Sequence, residues 1–307
     1  MRRNESIRLL GYDIGRIGGV FRATEGLYEE FGEERVIDTP LSENSLLGTA
    51  AGMAMRGQRV VPEIQFLGFF YPAFGQFMST ISKMHKRSGG AIDMPLTVRI
   101  PYGDGIKSSE YHSESTETFF IHTPGIRVVC PSTPAETKGL LAASIRSDDS
   151  VIFLEPKSIY RGETEEVPET EYTLPLEEAR VVREGSDVTV LTWGAMVRHA
   201  VTAADRVAAD VEIVDVRSLS PIPVVAILES VKKTGRCVVF HEARRTLGLG
   251  AELSALINEY AIDRLRAPIK RATGYDVHFS GHQTEDTYLP DEQRAIDAIE
   301  AVMSYEF

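Results

Sequence analysis

Three polar side chains stand where the sequence pattern places strand ends and a helix start. Glu43 opens a helix rich in small residues, Gln65 follows the apolar run Val60–Ile64, and His112 follows a polar segment with two glycines. A buried carboxylate can bond a ring nitrogen, and a histidine can act as an acid or base near neutral pH. Aromatic residues after Gln65 can stack on a heterocycle, because ligands of open α/β sheets bind beyond the carboxyl ends of strands. Together these side chains are suited to proton transfer on a heterocyclic cofactor.

Each side chain also has a purely structural interpretation. Ser42 can cap the helix that begins near Glu43, and an acid in the first turn gains about 0.3–1 kcal/mol from the helix dipole. Phe66 and Phe70 can equally form a hydrophobic plug between a helix and the sheet. His112, taken singly, is also typical of a surface or hydrogen-bonded structural histidine. Residue types alone leave both interpretations open.

Composition excludes several classes of protein. The 307 residues are 43% hydrophobic and carry a net charge of -12. This length suggests about two globular domains. An acidic chain is poorly matched to nonspecific binding of nucleic acid or anionic membrane, since both need a cationic surface. We find no targeting segment and no apolar run long enough to span a membrane. Cys130 and Cys237 lie beside valine-rich runs, and we expect both to be reduced and buried in a cytoplasmic protein.

Short apolar runs alternate with longer helical patterns in the first half of the chain. This alternation predicts an α/β domain with a largely parallel, buried sheet. The predicted strands are Ile7–Gly11, Val60–Ile64, Leu96–Ile100, Arg127–Cys130 and Val151–Leu154. The predicted helices are Ser45–Arg56, Pro72–Lys86 and Pro134–Arg146. An acidic segment with breaks at Gly162, Pro168 and Pro175 follows, so we assign residues 1–165 to the first domain and 166–185 to an exposed linker.

A second α/β pattern occupies residues 186–307. The predicted strands are Val188–Thr192, Val211–Val216, Cys237–Phe240 and Ile269–Ala272. The predicted helices are Ala195–Ala209, Pro223–Lys233, Gly250–Ile262 and Glu292–Met303. The run from His241 to Arg245 ends one of these strands, and we expect it to face a partner subunit.

Ten short sequence words occur in one order along nearly the whole chain. The words are Gly18–Phe21, Arg35–Glu43, Glu63–Phe66, Arg87–Gly90, Tyr111–Ser113, Lys138–Leu141, Phe153–Lys157, Glu184–Thr189, Lys232–Arg236 and His241–Ala243. With these words the chain resembles the β subunit of the E1 component of 2-oxo acid dehydrogenase complexes, and within that family the branched-chain type. The resemblance implies an α/β fold with a three-layer pyrimidine-binding (thiamin diphosphate) domain, followed by a transketolase C-terminal-like α/β domain.

The resemblance also implies roles for individual residues. Glu43 falls on the glutamate that bonds N1′ of the aminopyrimidine of thiamin diphosphate and moves the proton that activates the cofactor. Phe69 falls on the aromatic position beside that ring, and Gln65 on a supporting position of the same pocket. His112 falls on an active-site histidine that steadies the intermediate and helps acyl transfer to lipoamide. Glu43 and His112 are therefore the expected catalytic residues.

The cofactors and partners implied by the resemblance extend beyond this chain. In the family, the α subunit holds the diphosphate and Mg²⁺ within an α2β2 heterotetramer, and a lipoyl-bearing E2 accepts the acyl group. The chain end at Phe307 is expected to receive the subunit-binding domain of E2. The resemblance further implies a structural K⁺ site, formed by Met94, Leu96, Thr97, Ser144, Ser147 and Asp149.

Departures from the family pattern leave alternative functions open. Tyr12 replaces a usual glutamate, Gly68 stands where an acid is common, and Ser108–Glu110 replaces a glycine-rich loop. The expected activity is oxidative decarboxylation of a branched-chain 2-oxo acid with acyl transfer to lipoyl-E2. The alternatives are the β subunit of a pyruvate dehydrogenase E1 and a noncatalytic paralogue that serves as a scaffold or regulatory subunit.

Overall fold

The computed structural model describes residues 1–162, 164–279 and 283–306, so the expectation for Phe307 lies outside the described residues. The strands of the first half are β1 (Ile7–Gly11), β2 (Val36–Asp38), β3 (Arg59–Pro62), β4 (Thr97–Tyr102), β5 (Ile126–Val129) and β6 (Ser150–Pro156). Its α-helices are α1 (Leu27–Phe31), α2 (Glu43–Met55), α3 (Phe74–Gln76), α4 (Met84–Arg87), α5 (Thr118–Ile121) and α6 (Pro134–Arg146).

The first sheet places the carboxyl ends of β1 and β3 side by side. β1 pairs in parallel with β2 and β3, and isolated parallel bridges from Val60 to Leu96 and from Glu63 to Arg99 link β3 to β4. β6 lies between β4 and β5, again in parallel. Every residue of β4 and β6 is buried, as expected for a parallel sheet covered on both faces. The segments that follow β1 and β3 therefore meet at one edge of the sheet.

Helix α2 begins with Glu43, close to the predicted start. Ser42 has an extended backbone, and its Oγ accepts the N–H of Ser45 at 3.4 Å, which caps the helix. The buried face of α2 consists of Leu46, Leu47, Ala50, Ala51 and Ala54. These small and apolar side chains let the helix pack closely on the sheet, so that its first turn lies at the sheet edge.

The predicted helix Pro72–Lys86 is wrong as one continuous element. The segment comprises a 3₁₀ helix over Leu67–Ala73, then α3, a π-helical turn over Phe77–Ile81, and α4. Phe70, Phe74 and Phe77 pack around Phe120, with ring centroids 4.8 to 5.9 Å from its ring. This buried aromatic cluster, rather than a regular apolar stripe on one helix, fixes the path of the chain.

The second half forms a five-stranded sheet in the described residues. Its strands are β7 (Arg180–Arg183), β8 (Val188–Thr192), β9 (Val211–Asp215), β11 (Cys237–Arg244) and β12 (Lys270–Gly274). The short strand β10 (Ser218–Ser220) also belongs to this half of the chain but is not part of this sheet. Its helices are α7 (Met196–Ala204), α8 (Val224–Thr234), α9 (Leu249–Ala261), α10 (Glu285–Tyr288) and α11 (Glu292–Met303). The strand order is β12-β11-β8-β9-β7, with β7 antiparallel to β9 and the other pairs parallel.

The two halves share one core. β10 pairs antiparallel with β5 and so adds a strand of the second half to the sheet formed by β4, β5 and β6. Val128 and Cys130 of the first half belong to the same buried cluster as Trp193 and Leu219 of the second. This two-part α/β architecture with mixed sheets confirms the predicted fold class. It also means that contacts between the halves can position residues of the first sheet.

Three predicted elements have the bounds that the structure gives them. They are strands Ile7–Gly11 and Val188–Thr192 and helix Pro134–Arg146, which are confirmed as predicted. The segment predicted as a linker, residues 166–185, ends in β7, and the domain limits 1–165 and 186–307 stay a prediction. Cys130 and Cys237 are buried. Within the described ranges, no helix is long and apolar enough to cross a membrane.

Candidate active site

Glu43 is oriented by a hydroxyl group from the residue that follows β1. The carboxylate is half-buried, and the buried Tyr12 donates its hydroxyl to Glu43 Oε1 at 2.8 Å. Burial, followed by the hydrogen bond to Glu43, raises the pKa of Tyr12, so the phenol stays protonated and remains a donor. Glu43 Oε2 has no hydrogen-bond partner within the described part of the chain. One carboxylate oxygen is therefore fixed, while the other can meet a ring nitrogen.

Gln65 ties the segment after β3 to the segment after β1. Its amide nitrogen, Nε2, donates to the carbonyl of Tyr12 and to Asp13 Oδ2, each at 3.2 Å. The side chain is buried, so both bonds are shielded from water. Because Tyr12 in turn holds Glu43, Gln65 positions the carboxylate through one intermediary.

His112 packs against two aromatic rings at the same sheet edge. It ends a 3₁₀ turn, Glu110–His112, on the loop after β4. Its ring centroid is 4.5 Å from that of Phe66 and 5.2 Å from that of Phe69, both edge to face, and the two phenyl rings are 5.4 Å apart. Gln65 and Phe66 are neighbours in the chain. The four predicted residues are therefore connected. Tyr12 bonds both Glu43 and Gln65. Phe66, the next residue in the chain, contacts both Phe69 and His112.

The surroundings of His112 favour its neutral form. Burial lowers the pKa of His112, and the nearby Lys157 ammonium lowers it further. Ser109 Oγ lies 2.9 Å from His112 Nδ1, so the hydroxyl and the ring nitrogen share a hydrogen bond. That bond leaves Nε2 as the ring nitrogen that a substrate can approach. The imidazole is therefore oriented by a neighbour on its own loop.

Gly68 explains how the loop can come so close. A Cβ added to Gly68 would lie 2.4 Å from the carbonyl oxygen of Tyr111 and 2.8 Å from its Cα. Real Cβ atoms do not approach backbone so closely, so only glycine fits against the residue before His112. Gly68 therefore packs against Tyr111, which directly follows the altered loop Ser108–Glu110.

The arrangement fits half of a site for an aminopyrimidine cofactor. Glu43 supplies an oriented carboxylate with one oxygen to offer. Phe66 and Phe69 supply apolar ring surface, and His112, which packs against both rings, adds a proton acceptor or donor. None of these groups suits a diphosphate, which needs cations or backbone N–H groups. Within the described residues, no group of three or more His, Cys, Asp or Glu side chains is arranged to hold a metal ion.

All six residues expected to bind K⁺ lie where β4 and β6 begin and α6 ends. The Met94 carbonyl accepts the Ser150 hydroxyl at 2.8 Å, and the Leu96 carbonyl accepts the Val151 N–H at 2.8 Å, so the two strand starts adjoin. Thr97 opens β4, and Ser147 ends α6. Carbonyl groups at a helix C-terminus carry partial negative charge, which suits a cation.

The remaining contacts show a competing cation. The Arg59 guanidinium donates to the Ser147 carbonyl at 2.7 Å and to the Ile145 carbonyl at 3.3 Å. The Ser144 hydroxyl donates to the Leu140 carbonyl, and the Asp149 carboxylate pairs with Arg127 at 2.8 Å. The oxygen cluster predicted for K⁺ therefore already has arginine side chains among its partners.

Sequence reasoning missed three residues of the site. Tyr12 orients Glu43, although the sequence shows only that it departs from the family pattern. Ser109 bonds His112, although the sequence shows only that it belongs to an altered loop. Lys157 is buried beside Phe66, with its Nζ 5.8 Å from the ring centroid, and burial lowers the pKa of Lys157 to about 8. Lys157 ends a sequence word of the family, but nothing in the sequence alone indicates that it lies near His112.

Two protein families match this chain. The transketolase pyrimidine binding domain matches residues 1–163, and the transketolase C-terminal domain matches residues 177–295. The first match covers the segments that contain Glu43, Gln65 and His112.

Individual proteins are similar over nearly the whole chain. The pyruvate dehydrogenase E1 component subunit beta of Leifsonia xyli subsp. xyli is 45% identical, over 97% of this chain and 89% of its own. The 2-oxoisovalerate dehydrogenase subunit beta of Pseudomonas aeruginosa is 44% identical, over 99% of this chain and 91% of its own. A solved structure titled as a split gene transketolase, inactive beta4 tetramer, superposes with a TM-score of 0.80 at 20% identity, over 99% of this chain and 93% of that chain. At that identity the superposition shows a shared fold.

Proposed function

Because this chain belongs to the family of E1 β subunits of 2-oxo acid dehydrogenases, we propose that Glu43 and His112 serve two successive steps of one reaction. Glu43 moves the proton that activates thiamin diphosphate, and His112 assists the transfer of the acyl group to lipoyl-E2. In the overall reaction the 2-oxo acid loses CO₂, and the lipoyl disulfide is reduced as one sulfur takes the acyl group. When bound, thiamin diphosphate supplies the electron sink that decarboxylation requires.

The hydrogen bond from Tyr12 to Glu43 carries the first half of this proposal. It fixes Oε1 and leaves Oε2 free to bond the pyrimidine nitrogen. A hydrogen-bonded carboxylate on a capped helix turn keeps its position while the proton moves, which is the preorganisation that catalysis needs. Gln65 supports the same geometry, and Phe69 lines the ring site.

The apolar setting of His112 supports the second half. A lowered pKa keeps its imidazole neutral near pH 7, so it can accept a proton and return it. The Phe66 and Phe69 rings shield that exchange from water. Glu43, Phe66, Phe69 and His112 offer no group that binds a diphosphate, and the Lys157 ammonium donates to the Gly103 carbonyl, so we expect the site to need a second chain. We propose that an E1 α subunit supplies these groups together with Mg²⁺ in an α2β2 heterotetramer, and that the chain also binds E2.

Two 2-oxo acid classes are candidate substrates. We propose a branched-chain 2-oxo acid first, because the rings beside His112 present apolar surface to an aliphatic side chain. The 44% identity to the Pseudomonas aeruginosa 2-oxoisovalerate dehydrogenase subunit also supports this class. Pyruvate is the second candidate, supported by the 45% identity to the Leifsonia xyli subunit.

K⁺ is proposed as a weakly held structural ion beside Ser147. The Arg59 guanidinium already contacts that carbonyl, so a second cation there meets electrostatic repulsion. The melting temperature in matched KCl and NaCl solutions tests this. The ion should stabilise Arg59→Met more than the wild-type chain, and equal effects of K⁺ and Na⁺ on both proteins would rule it out.

The experiment for the central proposal is Glu43→Gln in the heteromer with the cognate α chain. The change keeps the shape and removes the mobile proton, so decarboxylation of pyruvate and of branched 2-oxo acids should fall by about 10²–10⁴-fold. Glu252→Gln is the matched control, because Glu252 is an exposed acid that lies, like Glu43, in the first turn of a helix. Near-normal turnover by the Glu43→Gln heteromer would reject the proposal.

A noncatalytic scaffold predicts a different result. Such a chain would assemble with the α subunit, show no turnover with any 2-oxo acid, and gain no stability from thiamin diphosphate. Titration of thiamin diphosphate and Mg²⁺ into the wild-type heteromer, followed by its melting temperature, distinguishes the two functions. The proposed enzyme should melt at a higher temperature as the cofactor concentration rises.

A further inference from the structure

Glu242 of the second half points into the first half rather than toward another subunit. It lies on β11, is 5% exposed, and its neighbour His241 is fully buried. The expectation that the run from His241 to Arg245 faces a partner is therefore wrong for these two residues. Their side chains are enclosed within this chain.

A single oxygen of Glu242 holds both ends of the loop that carries His112. We call residues 103–115 the His112 loop. Glu242 Oε1 accepts the backbone N–H of Asp104 at 2.8 Å and the hydroxyl of Ser115 at 2.8 Å. One carboxylate thus joins the two ends of the loop.

Glycine at the start of the loop makes this approach feasible. A Cβ added to Gly103 would lie 2.7 Å from Glu242 Oε1, and Gly103 has a φ of +76°, which favours glycine. The Lys157 ammonium donates to the Gly103 carbonyl. The Glu242 carboxylate and the Lys157 ammonium therefore both bond the backbone at the start of the loop, and both side chains are buried.

Further contacts from the second half reach the same loop. Arg244 pairs with Glu114 at 3.5 Å, and Asp286 accepts from Lys107 at 2.9 Å. The second pair is largely exposed and so is worth little, whereas the Glu242 bonds are shielded from water. Glu242 is accordingly the strongest of these links.

We propose that Glu242 is a positioning residue for acyl transfer, which it serves by holding the His112 loop so that the imidazole stays packed against Phe66 and Phe69. This inference rests on the proposed role of His112. The loop between its two anchored ends contains Gly105 and a short 3₁₀ turn, and it has little regular structure to fix it. Loss of the anchor should therefore release His112 and leave the Glu43 end of the site unchanged.

A merely structural role makes a different prediction. If Glu242 only stabilised the fold, its loss would reduce both partial reactions in proportion to the folded fraction. A positioning role separates the reactions. Decarboxylation with ferricyanide as the electron acceptor depends on Glu43, whereas acylation of a lipoyl domain also requires His112.

The test uses the heteromer with the α chain and measures both reactions for Glu242→Ala, His112→Ala and the double variant. Glu242→Ala should lower lipoyl acylation by about 10²-fold, the scale of acid–base assistance, with decarboxylation within about threefold of wild type. The double variant should be no slower than His112→Ala alone, because residues that act through one group are not additive. Glu242→Gln should restore acylation, since its amide oxygen can accept both bonds.

Glu212→Ala is the matched control. Glu212 is a buried glutamate on β9 of the same sheet, bonded to Ser230 and Lys233 and remote in sequence from the loop. Its replacement should change both reactions equally. If Glu242→Ala fails to assemble, Ser115→Ala decides, because it removes one of the two bonds and keeps Glu242. A selective fall in its acylation rate supports the proposal, and an unchanged rate overturns it.

The outcomes separate this inference from the proposed function. Wild-type acylation by His112→Ala would reject the role of His112 and the inference with it. An impaired His112→Ala together with a normal Glu242→Ala would reject only the role of Glu242. A double variant much slower than His112→Ala would show that Glu242 acts by another route and would also overturn the inference.

Discussion

Glu43 and His112 reach the same sheet edge by different means. Glu43 is placed by local structure, since it begins a capped helix and bonds the residue after the neighbouring strand. His112 lies on a loop and is placed by residues from elsewhere, namely the ring of Phe66 and the carboxylate of Glu242. One end of the site is therefore built into the sheet, while the other depends on packing between the two halves.

This difference matches the chemistry proposed for each residue. Proton transfer to a bound ring needs a carboxylate held rigidly, and strand ends and capped helices provide that. Acyl transfer must admit a lipoyl group carried by another protein, which suits a residue on a loop. We therefore expect that single substitutions can impair one step without the other.

The largest effect that separates the two ends should come from His112→Asn. Acylation of the lipoyl domain should fall by about 10²-fold, because the proton acceptor is lost, while decarboxylation with ferricyanide stays near the wild-type rate. His85→Asn is the control, since His85 is an exposed histidine paired with Asp93. Equal losses in both reactions would show that the two ends do not act separately.

A smaller effect is expected from Gly68→Ala. The added methyl group meets the Tyr111 backbone at 2.4 Å, so the strain should destabilise the protein by about 1–3 kcal/mol and displace the His112 loop. The melting temperature should fall by about 2–4 °C for each kcal/mol, and lipoyl acylation should fall with it.

Gly52→Ala is the matched control for that change. Gly52 lies in the middle of α2, and a Cβ there has no neighbour within 4 Å. Alanine should stabilise the helix by about 0.5–1 kcal/mol, so the melting temperature should hold or rise. A Gly68→Ala protein that behaves like Gly52→Ala would contradict the proposed fit between Gly68 and the loop.

The smallest effect concerns pH. Burial first and Lys157 second lower the pKa of His112, so acylation should lose rate on the acid side only below the ordinary histidine range near 6.5. Lys157→Met removes the second cause, which raises the pKa of His112 and moves the acid limb of the pH–rate profile to higher pH. The exposed Lys232→Met should leave the limb in place. A limb that moves to lower pH in Lys157→Met would contradict this account.

The sequence predicts the Glu43 end far better than the His112 end. Strand ends, helix starts and caps follow local patterns, so Glu43 and Gln65 could be placed from the residues near them. The broken helix after Gly68 depends on Phe120, about fifty residues away, and β10 is too short and polar to predict as a strand. Tertiary packing determines both, and local patterns do not report it.

Glu242 illustrates the same limit. The word His241–Ala243 belongs to the family pattern, but it does not predict where the Glu242 side chain points. An acid at a strand end can face a partner, solvent or another part of the chain. Its bonds to Asp104 and Ser115 join residues well over one hundred positions away. Such a contact follows from how the two sheets dock through β10, which no periodic pattern specifies.

The most direct test of the central claim measures the proton that Glu43 is proposed to control. In the heteromer with its α chain, exchange of the C2 proton of bound thiamin diphosphate with deuterium can be followed by rapid quench and NMR. If Glu43 moves this proton, Glu43→Gln should slow the exchange by about 10²-fold or more, while His112→Asn should leave it at the wild-type rate. Exchange in Glu43→Gln as fast as in the wild-type protein would contradict the proposed role of Glu43.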